Sequence, residues 1–180
     1  LTGKPTLISK LNYEELNKID ARGKEFNNLP SQKIPKLDDV LDVLPKNQII
    51  NIEIKSNQVF SEGMEGLVVE SILKYSLINR AIVSSFNPIV LDKIKKINPQ
   101  IITAHLWGNH KIFSSILWIY FSKPDIVHGN ISLLNEKNIA FLKSINLKVF
   151  AYTVNTKEEF KKATSLKLDG IFTDNPQLFK

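Results

Sequence analysis

The chain has 180 residues, long enough for one domain with a sizeable core, and its 43% hydrophobic and 23% charged content is ordinary for a globular protein. It contains no cysteine, which excludes disulfides, thiolate metal sites and a cysteine nucleophile. The net charge of +6 suits an anionic partner, yet the lysines are scattered along predicted helix faces and Arg22 and Arg80 are the only arginines, so no nucleic-acid partner is expected.

In chain order, residues 12–19 ("NYEELNKI") predict a short helix, followed by a loop with Gly23, Asn27, Asn28 and Pro30. "KIPKLDDVLDVLP" (33–45) predicts a second helix. Pro35 is expected to start it, Leu37, Val40, Leu41 and Leu44 form its apolar stripe, and Pro45 ends it. From there a strand-and-helix alternation begins. Strands rich in isoleucine and valine are predicted at 49–55, 81–86, 101–107, 125–130, 148–155 and 170–174. Helices are predicted between them at 62–76, 88–96, 111–121, 133–144 and 156–166. Asn87 before Pro88 is a start signal, and Thr156 with Glu159 makes a capping box. "IFSSILWIYF" (112–121) is about half the roughly 20 apolar residues of a membrane span. It is expected to lie on the sheet, with contact to a membrane surface as the alternative.

Successive strands begin roughly 20–30 residues apart, the span of a βα unit with a parallel crossover. The expectation is therefore an α/β fold with a buried parallel sheet, which accounts for the nearly continuous apolar strands. A TIM (β/α)8 barrel needs eight such units, and six are visible, while an open doubly wound sheet lacks support because no glycine-rich phosphate loop is present. No shift of composition marks a second domain, so residues 1–180 are expected to form one.

In a barrel the informative residues are polar groups at the last positions of the strands. "NIEIK" (51–55) places Glu53 and Lys55 on one face of the first strand. Glu53 suits a hard cation such as Mg²⁺ or Ca²⁺ and Lys55 suits a phosphate oxygen, while the bland reading is an ion pair that neutralises itself. His105 and Trp107 end the third predicted strand, His128 and Asn130 the fourth, Tyr152 and Asn155 the fifth, and Thr173 and Asp174 the sixth. The histidines are either acid–base or substrate groups or structural ones, and the aromatics either stack on a substrate or fill the core. Asp174 before Asn175-Pro176 is read as a possible helix cap.

Taken together, "KIPKLDDVL", "NIEIK", "VSSFNP", "YTVNT" and "DGIFTDNP" resemble the glycerophosphodiester phosphodiesterase family, in order and spacing, over nearly the whole chain. The resemblance implies a TIM barrel of the phospholipase-C-like type and hydrolysis of glycerophosphodiesters to sn-glycerol 3-phosphate and an alcohol, with one divalent cation, Mg²⁺ or Ca²⁺. It implies Glu53 as a metal ligand and Lys55 as the phosphate and transition-state contact. Phe86 and Tyr152 are implied at the substrate pocket, with Tyr152 standing where the family commonly has tryptophan, and His128, from its place at a strand end, is expected to contact substrate beside them. The family's His-Arg-Gly, Glu-x-Asp and His-Asp motifs, which supply the acid–base histidines and further ligands, do not occur in the chain. The expectation is therefore an incomplete barrel whose first two strands lie upstream of Leu1, inactive by itself. Two alternatives stand beside it: a related phosphodiesterase of lysophospholipid headgroups, and a phosphate-binding partial barrel without catalysis. The expected partner is a small-molecule substrate, and the expected location is cytoplasmic.

Overall fold

Each strand ends where its apolar run meets a polar turn, and most of the intervening helices begin at a side chain that caps them. A computed structural model describes residues 7–22, 26–56, 63–108 and 112–179. The chain divides into two compact units, 1–46 and 47–180.

In the first unit, α1 (Tyr13–Leu16) starts at a capping box between Asn12 and Glu15. The loop after it is organised by Asp20, whose carboxylate accepts from the Arg22 side chain, the Arg22 main-chain NH and the Gln32 NH. The Arg22 guanidinium and main chain hold this carboxyl well below the usual range. Arg22 in turn donates to the carbonyls of Asn27 and Leu29, closing the loop on itself. The second helix, α2 (Leu37–Val43), begins two residues later than Pro35, because Lys36 adopts an extended backbone and its NH donates to the Asp39 carboxylate. Of its expected stripe, Leu41 is buried, Leu37 and Leu44 are half-buried and Val40 is exposed.

The second unit is the βα series. Its elements are β1 (Ile50–Glu53), α3 (Met64–Lys74), β2 (Ala81–Ser85), α4 (Pro88–Ile97), β3 (Ile102–Trp107), α5 (Ile112–Ser122), β4 (Ile126–Asn130), α6 (Glu136–Ser144), β5 (Lys148–Tyr152), α7 (Lys157–Ser165) and β6 (Gly170–Ile171). The six strands pair in sequence order and every pairing is parallel. The architecture is a half-barrel, six parallel strands of a TIM barrel, as expected. The predicted starts at Glu62 and Lys111, like Gly23 in the first loop, lie outside the described residues.

Register assigns each side chain to a face. Ile82, Ala104 and Ile126 form one core with Ile102 and Phe150 on the concave side. Trp107, Val127, Val149 and Ala151 form the other with Ile119, Ile139, Leu142 and Ala163 of the covering helices. Both faces of the central strands are dry, as a parallel sheet requires. Gly129 on the helix side has a packing cause, since a Cβ there would sit 2.7 Å from the buried Leu134 side chain. Two aspartates pin the sheet from below. The Asp125 carboxylate accepts from the Thr103 NH and meets Lys95 at 2.7 Å, and Asp169 accepts from the Val149 NH.

The predicted caps at Asn87 and Thr156 are present, the first with Pro88 at the start of the helix. No glycine stop signal marks the helix ends, because Ser76, Lys123, Asn146 and Lys167 take the left-handed conformation there instead.

Candidate active site

The alternation in "NIEIK" is resolved by burial. Ile52 and Ile54 are buried, while Asn51, Glu53 and Lys55 are exposed along the opposite, concave face. The charges therefore stand on the open side of the sheet and not within its core. Two serines in "VSSFNP" hold this strand end. The Ser84 hydroxyl accepts from the Asn51 amide on the concave face. The Ser85 hydroxyl, on the other face, donates to the Ile54 carbonyl at 2.7 Å and accepts from the Asn87 NH. Ser85 thus fixes the main chain immediately before Lys55, a role that sequence reasoning missed, because two adjacent serines look the same in one dimension. Replacing Ser85 with alanine leaves a buried carbonyl without that donor, and an unfolding titration should read a loss of about 1–2 kcal/mol.

Glu53 also lies within electrostatic reach of Tyr152. Burial, and then the negative charge of Glu53, push the Tyr152 hydroxyl up to about 12. In a flat sheet the four strand steps from β1 to β5 would separate them by about 19 Å. The register adds more, because the row through Glu53 runs by way of Ser84, Ala104 and Ile126 to Lys148, four residues short of Tyr152. Curling and tilting of the strands bring the two side chains within that reach.

Around them the wall is aromatic. The Phe86 and Tyr152 rings meet edge to face, with centroids 6.4 Å apart. The Tyr152 hydroxyl donates to the Trp107 carbonyl at 3.0 Å, tying β5 to β3 across β4. Gly108 makes this approach possible: a Cβ there would meet the Phe86 ring at 3.1 Å and the Tyr152 oxygen at 3.5 Å.

His128 shares the concave face but is fully enclosed, with relative exposure of 0%. Its ring stacks on Phe150 at 5.5 Å and meets Phe172 edge-on at 4.7 Å. Neither ring nitrogen has a hydrogen-bond partner, and burial lowers its pKa to about 4. At the mouth of β4 the half-buried residue on that face is Asn130. His105 is on the other face, in register with Ser85 and Val127. Trp107 is buried among helix residues, so of its two readings the core one holds. Asp174 accepts from the Asn155 amide, whose oxygen receives the Asp174 NH and the Thr173 hydroxyl. The "VN" and "TDNP" motifs therefore lock the chain after β5 to the chain after β6.

A divalent cation needs several oxygen ligands. Among the described residues no group of three His, Cys, Asp or Glu side chains converges, so Glu53 by itself does not make a cation site.

The model of one protein family, described as the glycerophosphoryl diester phosphodiesterase family, matches residues 1–178. The chain belongs to that family. Family members of known sequence include a glycerophosphodiester phosphodiesterase of Caldanaerobacter subterraneus, 28% identical over 94% of this chain and 70% of its own. The uncharacterized protein YqiK of Bacillus subtilis is 30% identical over 92% of this chain and 69% of its own. Among solved structures, an Oleispira antarctica phosphodiesterase in complex with the product sn-glycerol-3-phosphate matches with a TM-score of 0.73 and 23% identity, covering 96% of this chain and 70% of that one. A glycerophosphodiester phosphodiesterase of Parabacteroides distasonis has the same TM-score at 18% identity, covering 93% and 68%. As a member of the glycerophosphoryl diester phosphodiesterase family, the chain has the hydrolase fold that its strand order and register describe.

Proposed function

We propose that the concave mouth binds and helps hydrolyse glycerophosphodiesters, releasing sn-glycerol 3-phosphate and an alcohol. The observation that carries this reading is that Glu53, two residues before Lys55, lies within electrostatic reach of Tyr152, whose ring meets Phe86, in a member of this family. The product held by the Oleispira relative supports the same substrate class. In this reading Lys55 places its ammonium on a phosphoryl oxygen and stabilises the negative charge that grows there. Phe86 and Tyr152 close one wall and exclude water from the diester. His128, enclosed against Phe150 and Phe172, is given no substrate contact in this reading. Glu53 would supply one carboxylate to a divalent cation, Mg²⁺ or Ca²⁺, and that cation would polarise a phosphoryl oxygen. When water attacks phosphorus and the P–O bond to the alcohol breaks, one proton leaves the water and one reaches the departing alkoxide; no described residue is assigned that transfer.

The exposed apolar surface of α5 favours a second substrate within the same chemistry, a lysophospholipid headgroup. One assay separates the two. Phosphate-ester release from glycerophosphocholine and from lysophosphatidylcholine is compared with Mg²⁺, with Ca²⁺ and after chelation. In a protein that also carries the family's acid–base histidines, turnover of glycerophosphocholine that chelation removes is the expected result. Turnover confined to the lysophospholipid selects the second substrate, and none on either, with the phosphate product bound, leaves a binding protein.

A further inference from the structure

The helix α5 is apolar on nearly every side, a pattern that belongs to a helix covered on every side. Here it is not covered. Ile119 and Ser122 face the protein, whereas Leu117 is 56%, Trp118 44%, Tyr120 57% and Phe121 49% exposed. Trp118 and Phe121 meet edge to face at 6.3 Å and form an aromatic ridge along the helix. Among the described residues no helix is long and apolar enough to cross a membrane, and α5 with its 11 residues is no exception.

The surroundings of the ridge are basic. Residues 93–124 hold five lysines and no aspartate or glutamate. Lys95 and Lys96 bridge to Asp125 and Asp92, the carboxylates that bound this run on either side. The Lys95–Asp125 contact also sets the end of α4, with exposed Ile97, beside the end of α5, where Lys123 is exposed.

We infer that the α5 ridge, with the lysines at its border, is a docking surface for an anionic lipid bilayer, on which this flank of the half-barrel lies without crossing. Three features select a lipid surface. Trp and Tyr rings are amphipathic and settle at headgroup depth. Lysine stems run along apolar surface while their ammonium groups reach lipid phosphates. The run itself holds no carboxylate, and the two that bound it are each paired to one of its lysines, so repulsion from an anionic leaflet is small. The inference uses no residue of the concave mouth, and although the same α5 surface favours the lysophospholipid substrate, vesicle binding is read without turnover.

Trp118 is its own reporter, because the other tryptophan, Trp107, is buried. The purified chain is mixed with vesicles of equimolar phosphatidylglycerol and phosphatidylcholine, or of phosphatidylcholine alone, and followed by co-sedimentation and tryptophan emission. Binding to the anionic vesicles, weakened by salt, with a blue shift that Trp118→Phe removes, is the expected result. A Leu117→Ser, Phe121→Ser double variant should bind about tenfold or more weakly, with circular dichroism unchanged because both side chains are exposed. Failure to co-sediment with anionic vesicles overturns the inference. So does a blue shift that appears without vesicles as protein concentration rises and a dimer forms, which would make the ridge a contact between copies of the chain.

Discussion

In a protein that also carries the family's acid–base histidines, replacing Glu53 with glutamine is expected to lower metal-dependent turnover of glycerophosphodiesters on the order of 100-fold or more, the scale of several kcal/mol of lost charge stabilisation. The substitution keeps shape and removes charge, and Glu53 is exposed, so the melting temperature should stay within about a degree or two of the parent. Lys55→Met should show a loss of comparable size in kcat/KM, because it removes a point charge aimed at the phosphoryl oxygens. Near-normal activity of the Glu53 variant with Mg²⁺ or Ca²⁺ would overturn its role. A second readout needs no turnover. The negative charge of Glu53 helps raise Tyr152, so Glu53→Gln should move one tyrosine's ultraviolet titration downward from about 12. An unmoved titration would mean that the two side chains do not share a site.

Acid should destabilise the second unit well before its carboxylates protonate, and His128 is the cause. Its pKa falls from 6.5 to about 4 on folding, because burial penalises the charged ring. Above about pH 6.5 the ring is neutral in both states and contributes no pH dependence. As pH drops toward 4 the unfolded chain takes up a proton that the folded chain refuses, so stability is lost across that window. The loss amounts to about 3 kcal/mol once pH is below both values. Urea titrations between about pH 7.5 and pH 4.5 read it directly. His128→Phe should flatten the dependence, and it should stabilise the protein near neutral pH. It places a ring of similar size between Phe150 and Phe172 and removes two buried nitrogens that have no partner. An unchanged slope in that variant would assign the acid sensitivity elsewhere.

The individual strands and helices are largely legible in the sequence, because each rests on local patterns: isoleucine-rich runs, Asn87-Pro88, and Thr156 with Glu159. The site is legible in part, since the exposed alternation in "NIEIK" announces one wet face. The division of labour within "VSSFNP" is not, because Ser84 and Ser85 differ only in which partner strand or turn each one meets.

Sequence by itself thus determined the βα series, the parallel sheet and the family, all properties of spacing and motif order. Tertiary structure alone decided sidedness. In β3 and β4 both faces are largely buried and each carries a buried histidine, so alternation carries no mark of which one looks into the concavity. That choice put His105 toward the helices and His128 toward the concave side, between two phenylalanines. Curvature was decided in the same way, because it is the roll of the whole sheet that carries Glu53 of β1 within electrostatic reach of Tyr152 of β5.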